Sequence, residues 1–147
     1  MRILLLNGPN LQLLGRREPG IYGTGTLQEL EERCRKVAGE LGVELECRQS
    51  NWEGELVDWI GAIPGNFDGL LLNAAAYTHT SIAIRDAVAG VRVPAVELHL
   101  SNIFGRDEFR HRSYLAGVVW AVVAGMGFQG YELALRALVA HLRGEES

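Results

Sequence analysis

Short apolar segments alternate with amphipathic segments along the chain, and this alternation limits the possible folds more than any other feature. Five segments are predicted as strands: residues 2–6, 43–48, 69–73, 93–100 and 117–124, the last as a fifth strand or its flank. Four others carry apolar side chains at helical spacing: residues 27–41, 50–63, 81–90 and 128–144. Strands that alternate with helices are typical of βα units and a parallel sheet.

The number and order of these segments predict one domain spanning residues 1–147. Five strands in this length fit a flavodoxin-like three-layer α/β sandwich with a parallel sheet of order 2-1-3-4-5. Thr26, with Glu29 three residues later, predicts a helix start, and Gly42 predicts its end. Ser81 is in place to cap the helix that follows the third strand.

Composition excludes several classes of function. The net charge is −4 and no cluster of Lys and Arg lies along one face, so nucleic-acid binding is not expected. The apolar runs are too short to cross a membrane and no leader-type pattern precedes them, which predicts a cytoplasmic protein. Cys34 and Cys47 form no CxxC and are expected to be reduced core thiols, and the four histidines show no zinc-binding spacing. Lys36 is the only lysine and lies on a charged helix face, so a Schiff-base mechanism has no good candidate.

Polar side chains follow three of the predicted strands. They are Asn7, Asn10, Arg16, Arg17 and Tyr22 after the first, Asn73 and His79 after the third, and Glu97, His99 and Ser101 at the end of the fourth. In open parallel sheets the carboxyl ends of the strands form the ligand crevice. We therefore expect three segments that are distant in sequence to meet at one rim.

The loop after the first strand, NGPNLQLLGRREPGIYG, matches neither GxGxxG nor GxxxxGK[ST], so no dinucleotide or P-loop phosphate site is expected there. Taken alone, Arg16 and Arg17 are also consistent with a solvated pair. Tyr22 is equally consistent with an aromatic side chain that packs under a turn.

Glu97 and His99 are two residues apart on a strand and therefore share a face. A carboxylate beside an imidazole fixes its tautomer and raises its basicity, as acid–base catalysis requires; a purely structural pair is the alternative. Asn73 is also consistent with an amide that binds its own loop, and His79 with a helix cap.

The segment after the fourth strand favours anion binding. Ser101 and the backbone amides of Leu100 and Ser101 are in place to hold an anion. Arg106 and Arg110 are four residues apart and would share a helix face. A solvated basic face remains the alternative for these arginines.

The candidate residues lie in four blocks, NGPNLQLLGRREPGIYG, LLLNAAAYTHTSIAIRDA, ELHLSNIFGRDEFRHRSYL and GFQGYELAL. In this order and spacing they closely resemble the type II 3-dehydroquinate dehydratases, over nearly the whole chain. The resemblance implies a flavodoxin-like lyase of the shikimate pathway of aromatic amino acid biosynthesis that needs neither metal nor organic cofactor. It also implies anti elimination of water from 3-dehydroquinate, through an enolate, to give 3-dehydroshikimate. Members of this family commonly assemble as dodecamers built from trimers.

The same resemblance implies a role for each catalytic candidate. Tyr22 is the base that removes a proton α to the ketone, and Arg17 and Arg106 are expected to favour its phenolate by their positive charge. Asn10 holds a water against the developing enolate oxygen. His99, oriented by Glu97, is the acid that protonates the departing hydroxyl.

The remaining site residues are expected to bind substrate. The backbone amides of Leu100 and Ser101 are expected to bind the substrate carboxylate, and His79 and Arg110 to bind ring hydroxyls. Asn73 is expected to contact substrate and to help position His99, and Asp86 to reach a neighbouring subunit's site. One departure is that the family usually has glycine two residues after the strand-3 asparagine, where this chain has Ala75. The loop that carries Arg17 and Tyr22 contains three glycines after Pro19 and is expected to be a mobile lid.

A second hypothesis from another class is a non-catalytic flavodoxin-like module that binds FMN, another nucleotide or a protein partner. A receiver domain would need an acidic pair after the first strand, and an FMN binder a loop of Ser, Thr and Gly there. The sequence has Asn-Gly-Pro-Asn at that place, which favours the dehydratase.

Overall fold

The computed structural model describes residues 1–16 and 18–145, with only the backbone for Pro19 and Tyr22. In this part of the chain five strands form one sheet: β1 (Arg2–Asn7), β2 (Glu44–Gln49), β3 (Gly69–Asn73), β4 (Ala95–His99) and β5 (Ala121–Ala124). Their order is β2-β1-β3-β4-β5, and every neighbouring pair is parallel. The predicted α/β sheet and its strand order are confirmed.

The helices lie where the apolar periodicity predicts them. They are α2 (Leu27–Leu41), α3 (Glu53–Gly61), α4 (Ile82–Val91) and α5 (Phe128–Leu142), with one further turn of helix, α1 (Pro19–Tyr22), in the loop after β1. The Thr26 hydroxyl accepts a hydrogen bond from the Glu29 amide at 3.2 Å, and Gly42 ends α2 with a left-handed φ of 70°. Ser81 caps α4 by accepting from the Ile84 amide at 2.9 Å.

The sheet separates two apolar layers. Ile3 and Leu5 face α2 and α5, whereas Leu4 and Leu6 face α3 and α4. Because both faces are covered, β1, β3 and β4 are buried almost throughout, which explains the continuous apolar runs of β1 and β3. Cys34 and Cys47 are free thiols, and burial raises the pKa of each to about 12.

Two strands are shorter than predicted. β4 begins at Ala95 rather than residue 93, and β5 begins at Ala121 rather than 117. Residues 117–120 form turns, in which the Val118 amide donates to the Leu115 carbonyl at 2.9 Å. Val118 and Val119 still pack against the core from these turns, so their apolar character marks burial and not strand pairing.

None of the helices in the described ranges is both long and apolar enough to cross a membrane.

Candidate active site

The carboxyl ends of β1, β3 and β4 open onto one pocket. The pocket encloses about 720 Å³ when the part open to solvent is included. Its described lining consists of Pro9, Asn10, Leu11, Leu13, Leu14, Asn73, Ala75, Ala76, His79, His99, Leu100, Ser101, Ile103, Arg106 and Arg110. The three segments predicted to converge do meet at this edge of the sheet.

The loop after β1 is held against its neighbours by short contacts. The Gly8 amide donates to the Asn73 carbonyl at 2.7 Å, and a Cβ at position 8 would lie 2.6 Å from the Ala74 carbonyl oxygen, so only glycine fits there. Asn10 has a left-handed φ of 70°, which asparagine tolerates. The backbone amide of Asn10 donates to Asn51 Oδ1 at 3.0 Å, so Asn51 fixes Asn10 at the pocket wall.

A buried polar chain lies beneath the ends of β1 and β3. The Tyr131 hydroxyl donates to Asn7 Oδ1 at 2.6 Å and accepts from Asn73 Nδ2 at 2.7 Å. Asn73 Oδ1 in turn accepts from the Ala75 amide at 3.0 Å. Burial raises the pKa of Tyr131 far above its ordinary value, so its hydroxyl stays neutral. Through these bonds α5 sets the orientation of the Asn73 amide in the pocket.

Ala75 is the residue that departs from the family pattern, and its backbone conformation is one that glycine adopts more easily. Its φ is 52°, in the left-handed region that favours glycine. The chain therefore carries a methyl group in a strained backbone conformation beside the pocket.

The predicted pair at the end of β4 is formed. Glu97 Oε2 lies 2.8 Å from His99 Nε2, with Glu97 fully buried and His99 6% exposed. Glu97 Oε1 accepts from the Ser113 hydroxyl at 2.5 Å. The carboxylate is thus held on both oxygens, and the imidazole it contacts faces the pocket.

His79 lies across from this pair. Its ring stacks with that of His99 at a centroid distance of 6.3 Å. Nδ1–H donates to the Arg112 carbonyl at 2.7 Å, which leaves Nε2 as an acceptor. Burial lowers the pKa of His79, so the ring is neutral near pH 7 and suited to accept from a ligand hydroxyl.

Two guanidinium groups give the pocket a positive side. Arg106 Nη1 lies 3.5 Å from Ser101 Oγ. Arg110 Nε is buried and has no hydrogen-bond partner among the described residues, which leaves a donor for a ligand. This arrangement suits a small anion such as a carboxylate. Within the described ranges no group of three His, Cys, Asp or Glu side chains is placed to hold a metal ion.

The structure brings most predicted site residues together. Asn10, Asn73, His79, His99, Leu100, Ser101 and Arg110 line the pocket, as does Arg106. Glu97 lies directly behind His99. Asp86 is exposed on α4 and is not part of the described lining. Arg17 and the side chain of Tyr22, predicted as catalytic, lie outside the described residues.

Sequence reasoning missed the residues that support the site from behind. By sequence, Asn7 is one polar loop residue among several and Tyr131 is part of an amphipathic helix, while nothing singles out Ser113 or Asn51. Ser113 and Tyr131 fall within two of the four family-like blocks, in the stretches FRHRSYL and GYELAL. A polar group in an otherwise apolar helix face is the signal that could have identified Tyr131.

Comparison with known proteins identifies the family of this chain. The model for dehydroquinase class II matches residues 1–139. The chain is 60% identical to a 3-dehydroquinate dehydratase from Azorhizobium caulinodans over 92% of each sequence, and 56% identical to one from Synechococcus sp. (strain WH7803) over the full length of both. The type II dehydroquinase from Propionibacterium acnes superposes with a TM-score of 0.91 at 45% identity, over 95% of this chain and 96% of that one. With the pocket and its Glu97–His99 pair at the carboxyl edge of a 2-1-3-4-5 sheet, these matches show that the chain belongs to the class II dehydroquinase family.

Proposed function

We propose that the chain is a 3-dehydroquinate dehydratase, a lyase that converts 3-dehydroquinate to 3-dehydroshikimate by anti elimination of water in the shikimate pathway. The observation that supports this most directly is the Glu97–His99 pair, set 2.8 Å apart at the wall of a pocket with two arginines. The positive side of the pocket, given by Arg106 and Arg110, fits a small carboxylic acid.

Proton transfer is assigned to two residues. In the proposal, the Tyr22 phenolate removes a proton from the carbon α to the ketone, and electrons move onto the ketone oxygen to form an enolate. Arg17 and Arg106 favour the phenolate by their charge. As the enolate collapses, the C–O bond to the leaving hydroxyl breaks, and that oxygen takes a proton from His99 and departs as water.

Binding is assigned to the rest of the pocket. Asn10 holds a water against the enolate oxygen, and the amides of Leu100 and Ser101 bind the substrate carboxylate. Neutral His79 accepts from a ring hydroxyl through Nε2 and Arg110 donates to another. Asn73, oriented by Tyr131, contacts the leaving hydroxyl.

The proposal includes the assembly and the location of the protein. Residues 1–147 act as one catalytic domain in a cytoplasmic homododecamer built as a tetramer of trimers. The exposure of Asp86 on α4 is consistent with a contact to a neighbouring subunit's site. Sedimentation equilibrium tests this assembly: twelve times the chain mass supports it, and any smaller stable species contradicts it.

The decisive experiment follows absorbance on addition of 3-dehydroquinate. The product is a conjugated enone, so turnover raises absorbance at about 230–240 nm, the range in which such enones absorb. Tyr22→Phe and His99→Ala are expected to lower kcat by about 10²-fold or more, the usual contribution of a general base or acid. His141→Ala is the control for His99→Ala, since the His141 ring stacks on Trp120 at a centroid distance of 4.0 Å and is not part of the described pocket lining. No absorbance rise with the wild-type protein would leave only the binding-module hypothesis.

A further inference from the structure

Ser113 lies in the loop before β5, behind the Glu97–His99 pair and outside the pocket lining. Its hydroxyl is 2.5 Å from Glu97 Oε1, and Glu97 is fully buried. We propose that Ser113 is a positioning residue: through Glu97 it holds His99 with a proton on Nε2, so that Nδ1 is the nitrogen that exchanges a proton with the substrate. This inference deepens the proposed function and rests on it for the role of His99.

The direction of each hydrogen bond follows from the backbone. The amides of Leu115 and Ala116 both donate to Ser113 Oγ at 3.0 Å. A hydroxyl oxygen has two lone pairs, so both are used as acceptors here. The one hydroxyl hydrogen must then point to Glu97 Oε1, and no rotation of the hydroxyl can reverse this bond without losing a backbone partner.

The fixed hydroxyl determines the protonation of the pair. Because Ser113 donates to Oε1, the Glu97 carboxylate is held with Oε2 toward His99 Nε2, 2.8 Å away. An ionised carboxylate only accepts, so Nε2 carries a hydrogen in both the neutral and the charged imidazole. Gain and loss of a proton therefore take place at Nδ1.

The charged and titratable groups around His99 agree with this assignment. Glu97 faces it on β4, His79 stacks on it from the loop after β3, and Arg106 and Arg110 line the same pocket. His79 is held by a carbonyl at its Nδ1 and is kept neutral by burial. Among these neighbours the Glu97 carboxylate is the only acidic group, and it contacts His99 Nε2. The hydrogen that the imidazole keeps in its neutral form therefore lies on Nε2.

The first test reads the tautomer without substrate. Solid-state ¹⁵N NMR on protein labelled only in its four histidines distinguishes protonated from unprotonated ring nitrogens whatever the assembly size, and the His99→Gln spectrum identifies the His99 signals. In the neutral His99 ring of the wild type we expect Nε2 protonated and Nδ1 unprotonated. Ser113→Ala is expected to give a mixture of both tautomers, and Ser113→Thr, which keeps the hydroxyl, to restore the wild-type pattern.

The second test separates positioning from folding. In Ser113→Ala we expect kcat to fall by about tenfold or more, since a loosened acid meets the leaving hydroxyl less often, with KM within about twofold. Ser50→Ala is the matched control, because Ser50 Oγ also accepts a backbone hydrogen bond, from the Trp52 amide at 3.0 Å, but contacts neither member of the pair. Ser50→Ala is expected to keep the wild-type kcat and ring shifts.

Two results would overturn the inference: a wild-type His99 protonated on Nδ1 rather than Nε2 in its neutral form, or Ser113→Ala with the ring shifts and kcat of the wild type. A wild-type protein without dehydratase turnover would refute the proposed function, yet the tautomer measurement would still decide the structural part of this inference.

Discussion

The Tyr131→Phe change removes one hydroxyl from the centre of a buried polar chain and leaves the aromatic ring in place. In the wild type this hydroxyl donates to Asn7 Oδ1 at 2.6 Å and accepts from Asn73 Nδ2 at 2.7 Å. Asn7 and Tyr131 are fully buried, and Asn73 is 3% exposed. Asn7 Nδ2 already has no hydrogen-bond partner among the described residues. Rotation of the Asn7 side-chain amide in the variant would therefore only exchange one unpaired atom for the other.

The expected cost follows from these contacts. Each buried polar atom that loses its partner costs about 1–3 kcal/mol, so two such atoms give a destabilisation of about 2–6 kcal/mol. This is a large fraction of the free energy of unfolding of an ordinary domain, about 5–15 kcal/mol. Because burial raises the pKa of the Tyr131 phenol far above its ordinary value, the loss is expected to be the same between about pH 6 and pH 9.

Urea denaturation followed by circular dichroism measures the effect. With a slope of about 2 kcal/mol per molar urea, the midpoint is expected to fall by about 1–3 M without a change in slope. Wild type and variants are compared at equal protein concentration, since association stabilises the folded state by mass action.

Tyr77→Phe provides the control for this measurement. It also removes a tyrosine hydroxyl, one that donates to the Asn51 carbonyl at 2.8 Å, but from a partly exposed residue, and is expected to cost less than about 1 kcal/mol. A midpoint for Tyr131→Phe equal to that of Tyr77→Phe would refute the reasoning from buried polar groups.

Three further predictions concern pKa values and backbone strain. Burial lowers the pKa of His79, so the midpoint of its NMR titration is expected below the ordinary 6.5. The stability that neutral His79 contributes is complete above pH 6.5 and falls as the pH drops towards the folded-state pKa. A midpoint above 6.5 would contradict the lowered pKa. Burial raises the pKa of Cys34 and of Cys47 from 9.0 to about 12, which at about pH 8 leaves about a thousandfold less thiolate. Native protein is therefore expected to react with a disulfide reagent far more slowly than urea-unfolded protein. Equal rates would exclude the raised thiol pKa values. Since Ala75 has a φ of 52°, Ala75→Val is expected to lower the free energy of unfolding by about 1–3 kcal/mol, whereas Ala75→Gly is expected to leave it unchanged or raise it by up to about 1 kcal/mol; equal losses for the two variants in denaturant melts would argue against strain at this residue.

Much of the site could be predicted from sequence because it depends on local periodicity. Side chains two apart on a strand share a face, so the pairing of Glu97 with His99 follows from their spacing alone. Strand ends meet at one edge of a parallel sheet, which placed Asn10, Asn73 and Ser101 at a common rim.

The boundaries of β5 show where periodicity fails. Residues 117–120 are as apolar as the strand that follows, yet they form turns whose valines pack on the core. Apolar sequence reports burial, and both turns and strands can be buried. Only the position of β4 decides where pairing begins, at the register Val96↔Ala121.

The sequence by itself determined the element order, the parallel sheet and most of the predicted side chains that line the described pocket, because these follow from local spacing and from the rules of βα connection. The tertiary structure alone decided what holds those groups. Tyr131 reaches Asn7 across 124 residues, and Ser113 reaches Glu97 from a loop without periodic pattern. Such contacts depend on how α5 and the loop before β5 pack on the finished sheet, and a hydrogen bond between distant residues leaves no repeat in the sequence.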